Sequence, residues 1–180
     1  MQTLTVELPS QQSITGSNLS RWAEVVSDPR LSRFEERIET DRFGHIIVSR
    51  PPSAQHGSLQ FRIGVLLNER LLEGRVITEC PVSTADGVKA ADVAWASKLR
   101  LKELGSNVCF PHAPEICVEI ISPGYTEAEI KEKTALYFDA GAEEVWLCSS
   151  AGNMLFFRAG LNQALRNSEL CKGFPAQVDL

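Results

Sequence analysis

The stretch "EICVEIISPG", Glu115 to Gly124, constrains the fold more than any other. In a strand, Ile116, Val118 and Ile120 would point to one face, and Cys117, Glu119 and Ile121 to the other. A strand apolar on both faces runs through the middle of a sheet covered on both sides. Glu119 interrupts the pattern. An ionised carboxylate there needs a cation, a metal or hydrogen bonds to offset its lost hydration. "KAADVAWAS" poses the same problem, because Asp92 shares a face with Ala90 and Ala94 while Val93 and Trp95 point the other way. Taken singly, each acid could pair with an arginine or reach water at a strand end. Taken together, with small alanines beside one of them, they point to a shared pocket. Two carboxylates that close do not both stay ionised without a cation between them. Oxygen-only ligands suit Mg²⁺ or Mn²⁺ better than zinc.

The rest of the chain supplies a sheet and its covers. "LSRWAEVVSD" reads as a short helix capped by Asn18 or Ser20 and closed by Pro29. "RFEERIET" and "GHIIVSRP" read as two strands around the turn "DRFG". A longer helix spans about Ala54 to Leu72, with Leu59, Ile63, Leu66 and Leu67 as its apolar stripe and Gly74 beyond its end. "RVITECPV" and "VKAADVAWAS" flank Ala85-Asp86-Gly87, a tight-turn signal. A polar connection from Leu99 to Pro114 leads into the Glu119 strand. Thr126 to Glu129 then fits a capping box for a helix ending near Gly141. "EEVWLCS" and "NMLFFRA" form a further hairpin turned by "SAGN", and the tail holds one more weak strand. This order predicts an α/β (α+β) fold with a mixed sheet flanked by helices, rather than a doubly wound parallel sheet. At 180 residues the expectation is a single domain. It comprises an N-terminal extension over 1–52, a core over 53–160 and a tail over 161–180.

Composition removes several function classes. A formal net charge of −5 argues against a broad basic surface, although Arg62, Arg70, Lys98, Arg100 and Lys102 could form a local rim. No apolar run approaches the roughly 18 to 20 residues of a membrane span. The opening "MQTLTVELPSQQS" lacks the basic start and apolar block of a signal peptide. Five widely spaced cysteines without a C-x-x-C suggest reduced core thiols and a cytoplasmic location, and neither a zinc site nor a disulfide framework. Ser122-Pro123-Gly124 is no nucleophile elbow, and Gly-rich phosphate loops are absent. His45 and His112 have no metal-ligand spacing and are expected to be structural. His56 opens the long helix, where it could cap or could contact a phosphate.

On the helix after the Glu119 strand, Ile130, Lys133 and Tyr137 share one face, while Lys131 shares another with Ala128, Ala135 and Phe138. Helical spacing alone leaves both lysines open. "ADVAW", "PEICVEIISPG" and "EIKEKTALYFDAGAEEVWL", in that order, resemble the Uma-type restriction endonuclease family of the PD-(D/E)XK nuclease superfamily. "RFEERIETDRFGHIIVSRPPSAQHG" is similar to that family's N-terminal part, so the resemblance covers roughly Leu31 to Phe157. It implies a restriction-endonuclease-like core in which Asp92 and Glu119, with the Ile120 carbonyl, hold Mg²⁺ or Mn²⁺. The superfamily's usual lysine position is Ile121 here. The Uma-type pattern moves the lysine four residues ahead of a tyrosine, which selects Lys133 before Tyr137 over Lys131. Glu35 matches an early glutamate of the pattern, with Glu36 as a register alternative, and His56 matches its helix-opening histidine. Two departures stand out: Ala91 replaces the proline before the first acid, and Cys148-Ser149 replace the aspartate after the Trp-Leu pair.

The activity this implies is metal-dependent hydrolysis of phosphodiester bonds in DNA by a homodimer. The two copies would pair through apolar surface around Trp146 and Phe156. Two other classes compete with it. One is a non-catalytic nucleic-acid- or protein-binding module that keeps the fold; the other is a structural domain in which the acids only make ion pairs.

Overall fold

The computed structural model describes residues 10–31, 36–49, 51–122 and 124–179. Helix α1 spans Gln11–Ser27 and is capped by Ser10, whose side chain accepts a hydrogen bond from the Ser13 amide. It therefore begins well before Asn18 and Ser20, the expected caps. Asn18 instead turns inward, donating to Ser83 Oγ and the Thr84 carbonyl at 2.9 Å each. The two short strands β1 (Ile38–Thr40) and β2 (Ile46–Val48) pair antiparallel. They are shorter than the sequence suggested, and the early part of "RFEERIET" lies outside the described residues. Trp22 and Val25 of α1 pack with Val88 and Cys109 in a small core that Ile38 and Ile46 flank.

Helix α2 (Ala54–Arg70) follows, with Ser53 as its cap. The main sheet has the order β3-β4-β5-β6-β7, formed by Gly74–Thr84, Gly87–Ser97, Ile116–Ile121, Glu144–Ser149 and Met154–Arg158. Its β5–β6 pair is parallel and the other neighbours are antiparallel. A parallel pair needs a crossover, and helix α4 (Glu127–Asp139) supplies it. Thr126 and Glu129 form the full capping box that the sequence announces. The strand that opened the sequence argument is the middle one of five. Pro81 sits in β3, an edge strand, where a missing amide costs no internal ladder bond.

Each face of the sheet is covered. Leu59, Ile63 and Leu67 of α2 pack with Val93, Val118, Trp146 and Phe156 on one side. Tyr137 and Ala140 pack with Ala94, Cys117 and Val145 on the other, beside Leu101 and Leu104. Those two leucines belong to a helix, α3 (Lys98–Leu104), capped by Ser97, where only a polar connection was expected. Trp146 and Phe156 are fully buried, so the apolar surface expected to pair two copies there is core instead. The reason is the tail: Cys171, Phe174 and Val178 close over that face. Among the described residues the tail forms no ladder strand, only isolated bridges from Leu165 to Phe156 and from Gln177 to Asn153.

Glu144 shows what a purely structural buried acid looks like in this protein. It is wholly inaccessible to solvent. Its oxygens accept from Trp146 Nε1 at 2.7 Å, Ser168 Oγ at 2.6 Å and the amides of Glu169 and Leu170 at 2.8 and 2.9 Å. Strand β6 and the tail are stapled together by that one side chain.

Candidate active site

Strands β4 and β5 set Val93 opposite Val118 and Ala94 opposite Cys117. One residue further, the same register brings Asp92 opposite Glu119, on neighbouring strands and the same side of the sheet. Both are buried. Asp92 Oδ2 accepts from the Ile120 amide at 2.6 Å. Both oxygens of Glu119 are engaged from α4: Tyr137 Oη donates to Oε1 at 2.7 Å and Lys133 Nζ to Oε2 at 3.1 Å. The 3.6-residue period puts Lys133 and Tyr137 one turn apart on the face of α4 that meets the sheet. Lys131, on another face, is exposed and pairs with Glu127.

Three further groups complete the cluster. Glu39 of β1 is buried; its Oε1 lies 3.0 Å from Lys133 Nζ and accepts from the Ala90 amide at 2.9 Å. Arg37, just ahead of β1, bonds Asp92 Oδ1 through one terminal nitrogen, while the other lies 4.0 Å from Glu119 Oε2. Its Nε donates to Glu79 Oε2 at 2.7 Å. His56, at the start of α2, stands 3.2 Å from Asp92 Oδ1 through Nε2 and 3.4 Å from Ser122 Oγ through Nδ1. Donor atoms of His56, Glu79 and Asp92 all lie within 4.8 Å of one another. Glu79, one place from Cys80↔Ala91 in the β3–β4 register, has a left-handed φ of 49°, rare for a residue with a Cβ.

The electrostatics separate the two acids. Burial lifts Glu119 to about 7; the charges of Asp92 and Glu39 add to the rise, while Lys133 and Arg37 oppose it. Burial pushes Asp92 up as well. There the His56 hydrogen bond and the Arg37 charge outweigh it, and Asp92 stays below the ordinary carboxylate range. The hydrogen bond to Asp92 raises His56 in turn. Burial alone would lower Lys133, but Glu119 and Glu39 hold its ammonium charged. Paired groups driven apart in this way are a recurrent mark of acid–base and metal chemistry. Beside the cluster a groove of about 1150 Å³ opens, reached through Arg37, His56 and Glu79 and lined also by Pro52, Gln60 and Tyr125 among others.

Of the residues picked out from sequence, the structure brings Asp92, Glu119, Ile120, Lys133, Tyr137 and His56 together. Glu35 lies outside the described residues. Glu36 lines the groove, whereas Glu39 is the early glutamate that reaches the lysine. Arg37, Glu39 and Glu79 escaped the sequence reading. The one signal for the first two was their alternation in "ERIET", which sets Arg37 and Glu39 on one side of a strand. Of the supposed basic rim, Arg70, Lys98 and Arg100 are engaged with Glu69, Glu73 and Glu103. His45 pairs with Asp41 and His112 with Glu103.

A family model described as "Uma2: Putative restriction endonuclease" matches residues 27–178. The chain belongs to that family. The solved structures agree on the fold: one titled as a putative nuclease belonging to DUF820, from Anabaena variabilis, superposes with a TM-score of 0.63 at 18% identity. That match covers 74% of this chain and 79% of the other. No curated protein matches the chain. Within the Uma2 family frame, the mixed five-stranded sheet with helices on both faces is a nuclease-type core. Among the described residues no helix is long and apolar enough to cross a membrane.

Proposed function

We propose that this protein hydrolyses phosphodiester bonds in DNA with the help of a divalent cation held by Asp92 and Glu119. One observation carries the reading: two buried carboxylates meet on adjacent strands, a lysine ammonium against one of them and, against the other, Arg37 and His56, which both line an open groove. The donor set fits such an ion. Both acids offer oxygen, as Mg²⁺ and Mn²⁺ prefer, and the pair already draws a cationic group, Arg37, to itself. The Ile120 amide faces Asp92, and in an extended strand the carbonyl of the same residue points to the same edge, where it could add a third oxygen. When bound, the ion would supply positive charge at the phosphate and acidify water there.

The chain's own groups divide the remaining work. Lys133, kept charged, would hold the attacking water or neutralise charge growing on the phosphate. Tyr137 fixes the Glu119 rotamer by its hydrogen bond, and Glu39 fixes the lysine. His56, raised by Asp92, is placed at the groove wall as a proton donor or phosphate contact.

Glu144 supports the assignment by contrast. Its oxygens accept four hydrogen bonds from neutral donors, with Arg158 standing off at 3.9 Å, whereas Asp92 and Glu119 are bonded directly by the cations Arg37 and Lys133, the first of which lines the open groove. Incubation of supercoiled plasmid with the protein tests the reading. Nicking or linearisation is expected with Mg²⁺ or Mn²⁺, none in EDTA, and none from Asp92→Asn at any metal concentration. Retention of DNA without cleavage would assign a binding module instead. Neither binding nor cleavage would leave the acids as ion-pair partners only.

A further inference from the structure

We infer that Arg37 is the resident cation of the Asp92–Glu119 pair: a divalent ion enters by displacing its guanidinium, which then meets the DNA phosphate. This rests on the metal-dependent reading above and goes beyond it by giving Arg37 two successive partners.

The charge balance in the metal-free protein requires something of the kind. Lys133 is shared between Glu119 and Glu39, so it cannot also neutralise Asp92. Arg37 does so beside His56, which stands 3.2 Å from the same oxygen, bonding Asp92 Oδ1 and reaching towards Glu119 Oε2. Those are oxygens that a metal would need. A guanidinium and a divalent cation also repel at such a separation, so the two occupy the seat in turn. Arg37 has somewhere to go. Its Nε is tethered at 2.7 Å to Glu79, whose side chain is 47% exposed on the edge strand. Rotation about that contact would swing the two terminal nitrogens from the acids into the groove that Arg37 and Glu79 both line. A planar guanidinium with two free N–H donors matches the non-bridging oxygens of a phosphate, which a lysine does only as a point charge. Glu79, at its left-handed φ of 49°, keeps a carboxylate oxygen within 4.8 Å of Asp92, so the tether stays close to the acids.

The consequence is a site that stays closed by its own arginine until metal arrives, with the displaced charge delivered to the substrate. Mn²⁺ titrations by calorimetry without DNA, on wild type, Arg37→Gln and Arg37→Lys, test it alongside cleavage at saturating Mn²⁺. Removing a competitor for the seat should tighten Mn²⁺ binding by about tenfold or more in Arg37→Gln. Arg37→Lys should fall between. In melts, Arg37→Gln should sit below wild type in EDTA and gain more than wild type on adding Mn²⁺. Cleavage at saturating Mn²⁺ should nevertheless be slower in both variants. Mn²⁺ affinity equal to or weaker than wild type in both variants would overturn the competition. Unchanged cleavage at saturation would overturn the phosphate contact. Mn²⁺ binding by neither wild type nor variants would instead sink the metal-dependent reading, and this inference with it. Should Arg37→Gln fail to fold, the Arg37→Lys comparison alone retains the same expected direction and the same refutation.

Discussion

In EDTA, Glu119→Gln should make the protein relatively more stable as the pH rises, and the size of the effect follows from the burial of that carboxyl. The folded protein lifts Glu119 from 4.5 to about 7. A group whose folded pKa lies above its unfolded one stabilises the fold while protonated. Its contribution is complete below pH 4.5 and is lost as the pH climbs through about 7. At ~1.4 kcal/mol per pK unit, the loss amounts to about 3 kcal/mol. Glutamine has the shape of the protonated acid and does not titrate. It can still accept from Tyr137, though one of its ends must face Lys133 with an amide, a standing cost of about 1 kcal/mol. Urea denaturation of both proteins in EDTA at pH 5, 6, 7 and 8 measures the difference. Wild type should start equal or ahead at pH 5 and, with the variant's standing cost subtracted, fall behind by about 2 kcal/mol towards pH 8. Adding Mg²⁺ should restore wild type by mass action and leave the variant unmoved. Parallel profiles would refute the reasoning. So would a wild type that gains on the variant as the pH rises, because that is the behaviour of a carboxylate whose pKa the lysine has depressed.

Two further substitutions separate chemistry from architecture. Lys133→Met should lower cleavage by about 10²-fold or more and also cost stability, since Glu119 and Glu39 lose their shared ammonium; single-turnover rates and melts read the two effects. Glu144→Gln should cost about 2 to 4 kcal/mol, because one oxygen that accepts two donors becomes a donor itself. That loss should be the same with and without Mg²⁺, as denaturant titrations in both conditions would report.

Sequence alone carried the architecture a long way because its strongest signals were local and periodic. The double-sided apolar pattern around Glu119 located the central strand, the capping box located α4, and Asp86-Gly87 located the β3–β4 turn. Signals failed where tertiary contacts decide. Lys98–Leu104, read as part of a polar connection, became a helix because Leu101 and Leu104 find the sheet. Trp146 and Phe156 looked like an exposed pair because nothing periodic marks Phe174 and Val178 as their cover. In the site, Asp92 and Glu119 announced themselves by standing against apolar patterns, whereas only the family resemblance separated Lys133 from Lys131. Arg37 and Glu79 could not, since a charged residue near a strand end is ordinary and only the fold brings these two to Asp92. The early glutamate shows the limit of register. Glu35, Glu36 and Glu39 are indistinguishable in "FEERIET", and contact with Lys133 distinguishes Glu39.

The five cysteines are free and buried, and they are distributed among the packed layers. Cys109 lies under α1, Cys80 and Cys117 lie on the α4 side of the sheet, and Cys148 and Cys171 lie beneath α2 and the tail. Burial raises all five thiols above their ordinary range, so each stays inert to alkylating reagents until its own layer opens. Pulsed alkylation followed by peptide mass mapping would therefore time the loosening of each layer separately, with no label introduced. Early modification of Cys171 would report tail release and of Cys109 the departure of α1, while Cys117, in the central strand, would mark loss of the sheet itself.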